Sequence, residues 1–550
     1  MTKKIRLAGC LIAFSLFSFN SFAQNFEEIM NRGEIRGNFQ IDMQYYQEDS
    51  TIGAEDVPEK IRSNSFLNLI YTNGNFSTGV RYESYLTPLL GFPEGYEGNG
   101  IAYRYASFTK DKLSVTVGNF YEQFGNGLIL RTYEERGLGY DNALDGIRIK
   151  YKPFKGVTLT GLTGKQRLFF DFGEGIVRGF DAEIYLNDVY GKLAESKTKI
   201  LIGGSAVSKY QADQDSRFVL PENVAAMSGR INLTRGKINV NSEYAYKYND
   251  PSADNGFIYK SGSAFFLQTS YSQKGLGIVL AAKRNDNFSF RSDRTEGLQN
   301  LLINYLPALT KQHTYNLLAT LYPYATQLNG EVAFQGDLIY KFKKGTKLGG
   351  ETGMDIQLNY STANNLDTTS LNDELGARKG YKSELFGIGE VYFKDFNVQI
   401  NKKFSKKVKG RFTYANIVYN GDVIEKPGEG MVYANIGVAD VTYKFNIRNA
   451  LRTEAQILVT EQDEGDWATL LFEYTYSPHW FFALLDQYNY GNSETDARVH
   501  YYNASFGYID GGNRISLSYG RQRAGIFCVG GVCRVVPASN GLFLSVTSSF

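Results

Sequence analysis

The sequence predicts an all-β fold: a single large antiparallel transmembrane β-barrel of about 24 strands (range about 20–26) with long extracellular loops. Three observations predict it. Segments of about ten residues alternate apolar and polar side chains, as walls between lipid and lumen require. The chain opens on an export leader. It closes on a strand-like stretch, residues 541–550, that ends in Phe550.

Composition supports one continuous architecture. The chain has 550 residues, long for a single soluble core, yet only 11 prolines and no Pro/Ser-rich linker. It has 40 tyrosines and 38 phenylalanines, which suit strands and membrane interfaces. Mean hydropathy is −0.31, the value of a soluble protein. A barrel strand turns an apolar residue outward only at every second position, so its average stays low. No stretch reaches the ~18 consecutive apolar residues of a spanning helix. The net charge of +2 falls to −1 without Lys3, Lys4 and Arg6. That gives no electrostatic case for nucleic acid.

Residues 1–23 read as a signal peptide. Lys3, Lys4 and Arg6 form the positive region, residues 7–19 the apolar one, and Ser21-Phe22-Ala23 the cleavage site before Gln24. Leu7-Ala8-Gly9-Cys10 matches a lipobox by its letters, but the apolar run follows Cys10 instead of preceding it. Cleavage after Ala23 is therefore expected. Residues 24–36 form a short N-terminal periplasmic segment, and residues 37–550 the barrel. No domain stands before the first strand, which points away from a receptor with an N-terminal plug.

Residues 37–47 are the first strand. In 65–72, Leu67, Leu69 and Tyr71 share a face. Asn73-Gly74 predicts a tight hairpin turn. The next strand puts Phe76, Thr78, Val80 and Tyr82 on one face, and Ser77, Gly79, Arg81, Glu83 and Tyr85 on the other. Arg costs ~2–4 kcal/mol on the lipid face at the membrane midplane, so the first set faces lipid and the second the lumen. The pattern recurs in 451–459, 467–477 and 515–519. Turns at 73–74, 110–112 and 155–156 are expected at the periplasmic end. Long stretches at 48–60, 89–100, 210–224, 250–260, 292–328 and 362–381 are expected as extracellular loops. In 292–328, residues 296–305 are helical in pattern, Pro307 interrupts, and 317–321 is apolar again. A long apolar loop is expected to fold over the mouth, enter the lumen or bind a protein partner.

Little points to catalysis. His313, His479 and His500 are scattered without metal-ligand spacing, and Asp213/Asp215 and Asp250/Asp254 lack a full calcium-loop pattern. No Gly-x-Ser-x-Gly, phosphate loop or dinucleotide fingerprint occurs. No cofactor, no metal and no enzymatic activity are expected. Cys528 and Cys533 flank Val529-Gly530-Gly531-Val532, a near-symmetric hairpin tip. Opposed hairpin residues lie ~4.5–5.5 Å apart at Cα, within disulfide reach. An exported chain can oxidise them. A disulfide is expected; free thiols or a metal site are its rivals, and no nearby His supports the latter.

The most distinctive stretch is 118–131, continuing through Glu134, Glu135, Arg136 and Asp141. Alternation breaks down there, and glycines crowd with both signs of charge. The bland reading is a polar loop. The sharper one is an inward-folded segment that narrows or plugs the lumen. Glu122, Arg131, Glu134, Arg136, Asp141 and Arg167 are the candidate constriction residues, with Glu122, Arg131 and Arg136 in charge pairs.

In the closing strand Leu542, Leu544, Val546 and Phe550 share one face, interrupted only by Ser548. This resembles the C-terminal signal of outer-membrane barrels, which the barrel-assembly machinery reads. The chain as a whole resembles a Bacteroidota family of outer-membrane proteins, the one with domain of unknown function 6029. The resemblance rests on 118–131, on Tyr322-Pro323-Tyr324-Ala325-Thr326-Gln327 and on the ending from Cys528 to Phe550. It implies an outer-membrane barrel and transfers no catalytic residue. Gln24 after the cleavage site also looks like exported proteins of that phylum. The expected role is a porin-like or loop-plugged channel or transporter in the cell outer membrane, its substrate open, in contact with outer-membrane lipids. The alternative is a non-catalytic accessory subunit of an assembly or secretion complex, with a partner docking through 292–328.

Overall fold

The computed structural model describes residues 33–371, 377–529 and 532–550, with the side chains of 527–534 set aside. The predicted signal peptide and most of segment 24–36 lie outside the described residues. Twenty-four strands form one closed sheet. Each wall strand pairs antiparallel with its neighbour in the chain, and the ring closes where Glu34–Gln47 pairs with both Ile61–Asn73 and Ser539–Ser549. Closure leaves no open edge, so every strand satisfies its backbone polar groups within the wall.

Closure uses the last residue. Phe550 N–H donates to the Gly37 carbonyl at 3.0 Å, and Gly37 N–H to the Phe550 carbonyl at 2.8 Å. The Phe550 ring lies over Gly37, where an added Cβ would stand 2.5 Å from it. Leu542 and Phe550 are exposed on the outer face. On the inner face Ser545 donates to Asp42 at 2.6 Å.

The alternation read in the strands sorts as expected. Phe76, Val80 and Tyr82 are 40–44% exposed, whereas Arg81, Glu83 and Tyr85 are 1–4% exposed. Ile457, Val459, Leu470 and Phe472 face outward, with Glu454, Gln456 and Leu458 inward. Short turns lie at the end that carries both chain ends of the sheet. The first differs in detail from its prediction: Asn73 pairs with Phe76, so the two-residue loop is Gly74-Asn75, with Gly74 at φ 55°. Glycine leads because the first central residue needs positive φ.

The first strand starts at Glu34, three residues before Gly37. Half of the predicted loop 362–381, residues 362–370 and Tyr381, belongs to paired strands. Met354–Ser370 and Tyr381–Lys403 stay paired up to Ser370 and Tyr381, with register shifts between Ala363 and Thr368. Above the membrane a ribbon needs no apolar face, so its polar residues hide a strand from a pattern search.

Candidate functional site

The barrel is not hollow. Its largest buried apolar cluster joins inner wall positions to two segments that leave the wall at the long-loop end and turn inward. Wall residues Ala226, Ala245, Ala264, Ala333, Ala363, Ala415 and Ala434 are buried in this cluster. Their small side chains leave the space that the two segments fill.

The first segment connects Leu113–Phe120 to Leu144–Tyr151. Phe124, Leu128, Ile129 and Leu130 are at most 1% exposed; three consecutive apolar residues cannot alternate between lipid and water, so the segment is buried on all sides. It folds back on itself through Phe124 N–H to the Leu130 carbonyl at 3.0 Å. Asn126 at its tip donates through N–H and Nδ2 to Glu243 at 2.7 and 2.9 Å. Gly125 has φ 54°, and a Cβ there would stand 2.5 Å from the Glu243 carboxylate and 2.8 Å from Arg230. Only glycine fits this docking onto the wall.

The second segment connects Leu276–Asp286 to Gly330–Phe342. Phe288, Phe290, Ile303 and Leu317 are fully buried. Two wall lysines hold the segment: Lys247 donates to the Ser289 carbonyl near its start, and Lys283, paired with the wall carboxylate Glu331 at 2.8 Å, reaches Pro307 O at 2.7 Å and Thr326 Oγ1 at 2.8 Å farther along. Its middle spans to other strands. His313 meets Asp395 at 2.7 Å, Tyr315 donates to Asp440 at 3.2 Å, and Leu317 N–H donates to Gln456 at 3.0 Å. The helical pattern of 296–305 is not realised. Arg291 takes the carbonyls of Leu298 and Asn300, both at 2.6 Å, and Ile303 N–H goes to Phe290. Those groups are then lost to an intrahelical ladder. The short helix lies at Asn316–Thr320.

The two segments are joined to each other. Arg131 N–H donates to Ile303 O at 2.8 Å, Tyr305 N–H to Gly127 O at 3.0 Å, and Asn142 Nδ2 to Leu302 O at 2.8 Å. Gln166 on the wall reaches the same Leu302 carbonyl at 2.7 Å. The Arg131 guanidinium lies 3.9 Å from the Tyr305 ring centre and 4.8 Å from that of Tyr133, two rings set edge to face, so that cation–π contacts stand in place of the expected charge pair.

A charge cluster fastens the first segment to the wall strands on either side of it, Phe76–Leu86 and Val157–Leu168. Arg81 binds Glu83 at 2.6 Å, Glu134 at 2.9 Å, and Asp141. Arg167 binds Glu83 and Asp141, both at 2.6 Å, and Arg136 binds Glu134 at 3.0 Å. The side chains of Arg81, Glu83, Asp141 and Arg167 are at most 4% exposed. Three cations meet three anions, the balance a buried network needs. Of the six candidate residues, Glu134, Arg136, Asp141 and Arg167 lie in this cluster. Glu122 stands apart, pairing with wall residues Arg148 at 3.3 Å and Lys150 at 2.8 Å. Asn126 lies within the distinctive stretch 118–131, where the Gly-Asn-Gly run at 125–127 reads only as a turn or bulge, and nothing in the sequence singles out its partner Glu243 or Tyr305.

Space remains around the plug. A cavity of about 1080 Å³ opens at the long-loop end, lined by Phe92, Tyr140, Leu298, Pro323 and Tyr392 among others. Two smaller ones lie between plug and wall, one of about 470 Å³ at the first and last strands and one of about 400 Å³ beside the wall strands between residues 467 and 522. They share Asn503, Arg521, Gln522 and Val536 and lie side by side as a slot, lined by Gln40, Gln44, Gln487, Ser505 and Ser518 and by apolar side chains such as Phe66, Leu90 and Leu485. At the short-turn end a cavity of about 690 Å³ is bordered by Lys341, Lys403, Lys409, Arg411 and Arg452, with Asp355 and Asp440.

The loop carboxylates considered for calcium are engaged. Asp213 accepts Leu220 N–H at 2.9 Å, and Asp250 pairs with Lys209 at 2.8 Å. Arg217 hydrogen bonds to Asp215 and holds its carboxyl down at about 2. Among the described residues no group of three His, Cys, Asp or Glu side chains could hold a metal ion. Cys528 and Cys533 are opposed in the register of Gly525–Val529 and Val532–Val536; their side chains lie outside the described ones.

No curated protein matches the chain in sequence. Among solved structures it is similar to the P pilus usher (PapC) translocation pore, at 8% identity and TM-score 0.43, covering 94% of this chain and 99% of that one. It is similar to the siderophore receptor PirA from Pseudomonas aeruginosa, at 9% identity and TM-score 0.40, covering 94% and 80%. It is also similar to a BenF-like porin from Pseudomonas fluorescens Pf-5, at 14% identity and TM-score 0.36, covering 79% and 100%. A family of unknown function, DUF6029, matches residues 1–550, and the chain belongs to it.

Proposed function

We propose that this protein is an outer-membrane channel whose lumen is closed by two of its own segments and which passes small polar solutes along the slot beside them. The observation that carries the reading is the backbone-to-backbone junction of Arg131 with Ile303 and of Tyr305 with Gly127. Loops that merely cover a mouth need no such junction. Support for a polar solute comes from the amides, hydroxyls and charged Asp42, Arg136 and Arg521 that share the slot's lining with apolar side chains.

In this reading the chain is a Bacteroidota protein, exported with residues 1–23 removed after Ala23, folded by the barrel-assembly machinery from its C-terminal strand, and non-catalytic. A Cys528–Cys533 disulfide pins the hairpin tip, as their opposed register and the oxidising compartment favour. Liposome swelling tests the solute route. Purified protein should admit a neutral polyol slowly, and Ser518→Trp or Ser505→Trp should abolish entry with the fold intact. Entry unaffected by either substitution rules out the slot.

A further inference from the structure

On the outer wall one row of side chains breaks the apolar band. Arg104 donates its backbone N–H to Asn119 Oδ1 at 2.9 Å, and the register carries the row on from Asn119 to Asp145, Lys165 and Ile176. Arg178 lies one position along from Ile176 on the outward face. The row faces outward, because it continues the alternation of Val80, Val117, Ile147 and Phe180, all 37–54% exposed. Apolar side chains bracket it, with Val117 and Ile147 toward the short turns and Ile101 toward the long loops, the last 60% exposed. It therefore lies within the thickness that meets the membrane.

Arg104, Lys165 and Arg178 stand there against Asp145, with Glu174 exposed at the bulge one outward position beyond Ile176. Arg104 binds Asp145 at 3.0 Å with its side chain still 54% exposed. The side chains of Lys165 and Arg178 have no partner among the described residues. A lone cation on a lipid face is destabilising, by an amount that depends on depth. Two unpartnered cations beside a third call for an anion from outside the chain. A shallow cleft of about 790 Å³ runs over the wall at this point, lined by Gly118, Gly146 and Gly164 together with Arg104, Lys165, Val117 and Ile147.

We propose that this cleft binds the phosphate of an anionic membrane lipid, with Arg104 and Lys165 in its lining and Arg178 beside it, next to Thr163, on the headgroup and an acyl chain against Val117 and Ile147. Charge complementarity selects the occupant. A neutral or zwitterionic headgroup leaves the excess positive charge unmatched, and free inorganic phosphate leaves the apolar floor uncovered.

Native mass spectrometry of the full barrel in mild detergent tests this, with phosphatidylglycerol or phosphatidylcholine added at equal concentration. The wild type should retain phosphatidylglycerol preferentially, by on the order of tenfold or more. Arg104→Gln/Lys165→Gln/Arg178→Gln should lose that preference. Arg104→Lys/Arg178→Lys should keep most of it. Millimolar inorganic phosphate should not displace the lipid. Heat-modifiable migration on gels verifies that each variant is folded; a triple variant that does not fold is replaced by Lys165→Glu alone, which should halve the preference or more. Equal retention of both lipids by the wild type overturns the proposal. So does an undiminished preference in a folded charge variant, or displacement by inorganic phosphate alone. A polypeptide that co-purifies with the wild type and leaves with the charge variants also overturns it, by showing a protein on this face.

Discussion

Asp141 holds two arginines that no solvent reaches. Asp141→Asn keeps its shape and removes the charge that Arg81 and Arg167 share. Breaking a buried pair in this way costs about 3–5 kcal/mol. The loss should fall on the first inward segment, since the wall strands keep their ladders. We expect faster protease cleavage within 121–143 with little change in the barrel's heat-modifiable migration. Gly125→Val acts at the other end of the same segment. Its φ of 54° and the nearby Glu243 oppose a side chain, at a cost of about 1–3 kcal/mol for the backbone alone. The same protease assay should show cleavage at the tip, and an uncleaved variant would contradict the docking on Glu243. Residue chemistry was partly legible in advance. Arg81 and Glu83 were assignable to the lumen because lipid would not accept them. Their partners in 134–141 and at Arg167 were visible as a charge-rich stretch, but a sequence does not say which charges meet. Arg131 shows the limit, for its partners are aromatic rings contributed by separate turns.

Wall strands announce themselves because lipid forces one face of each to be apolar. Where that force is absent, legibility ends. Residues 362–370 form a polar ribbon above the membrane and read as a loop. Residues 296–305 have helical spacing, yet Arg291 takes the carbonyls that a helix would use. The second inward segment was expected over the mouth, in the lumen or against a partner; its length and apolar content required a cover without naming one. Its burial beside an alanine-lined wall could have been suspected from small residues at inward positions on successive strands. The closing element is the most legible. Phe550 supplies both backbone hydrogen bonds to Gly37. Removing it should lower the amount of assembled barrel in the membrane several-fold, read as the heat-modifiable fraction. Normal assembly without Phe550 would show that closure does not depend on it.

At the scale of the whole molecule, a rigid wall encloses a core of its own loops. The wall's stability comes from continuous pairing around a closed ring. The plug's comes from apolar burial and buried charge, and the two are separable. The plug can therefore be removed with the barrel intact, which makes occlusion directly measurable. Single-channel recording in planar bilayers compares the wild type with a variant in which a short Gly/Ser linker replaces 292–328. The wild type should show small or no unitary currents, and the variant large, steady ones. Equal, porin-sized conductance from both would contradict a lumen closed by the junction of the two segments.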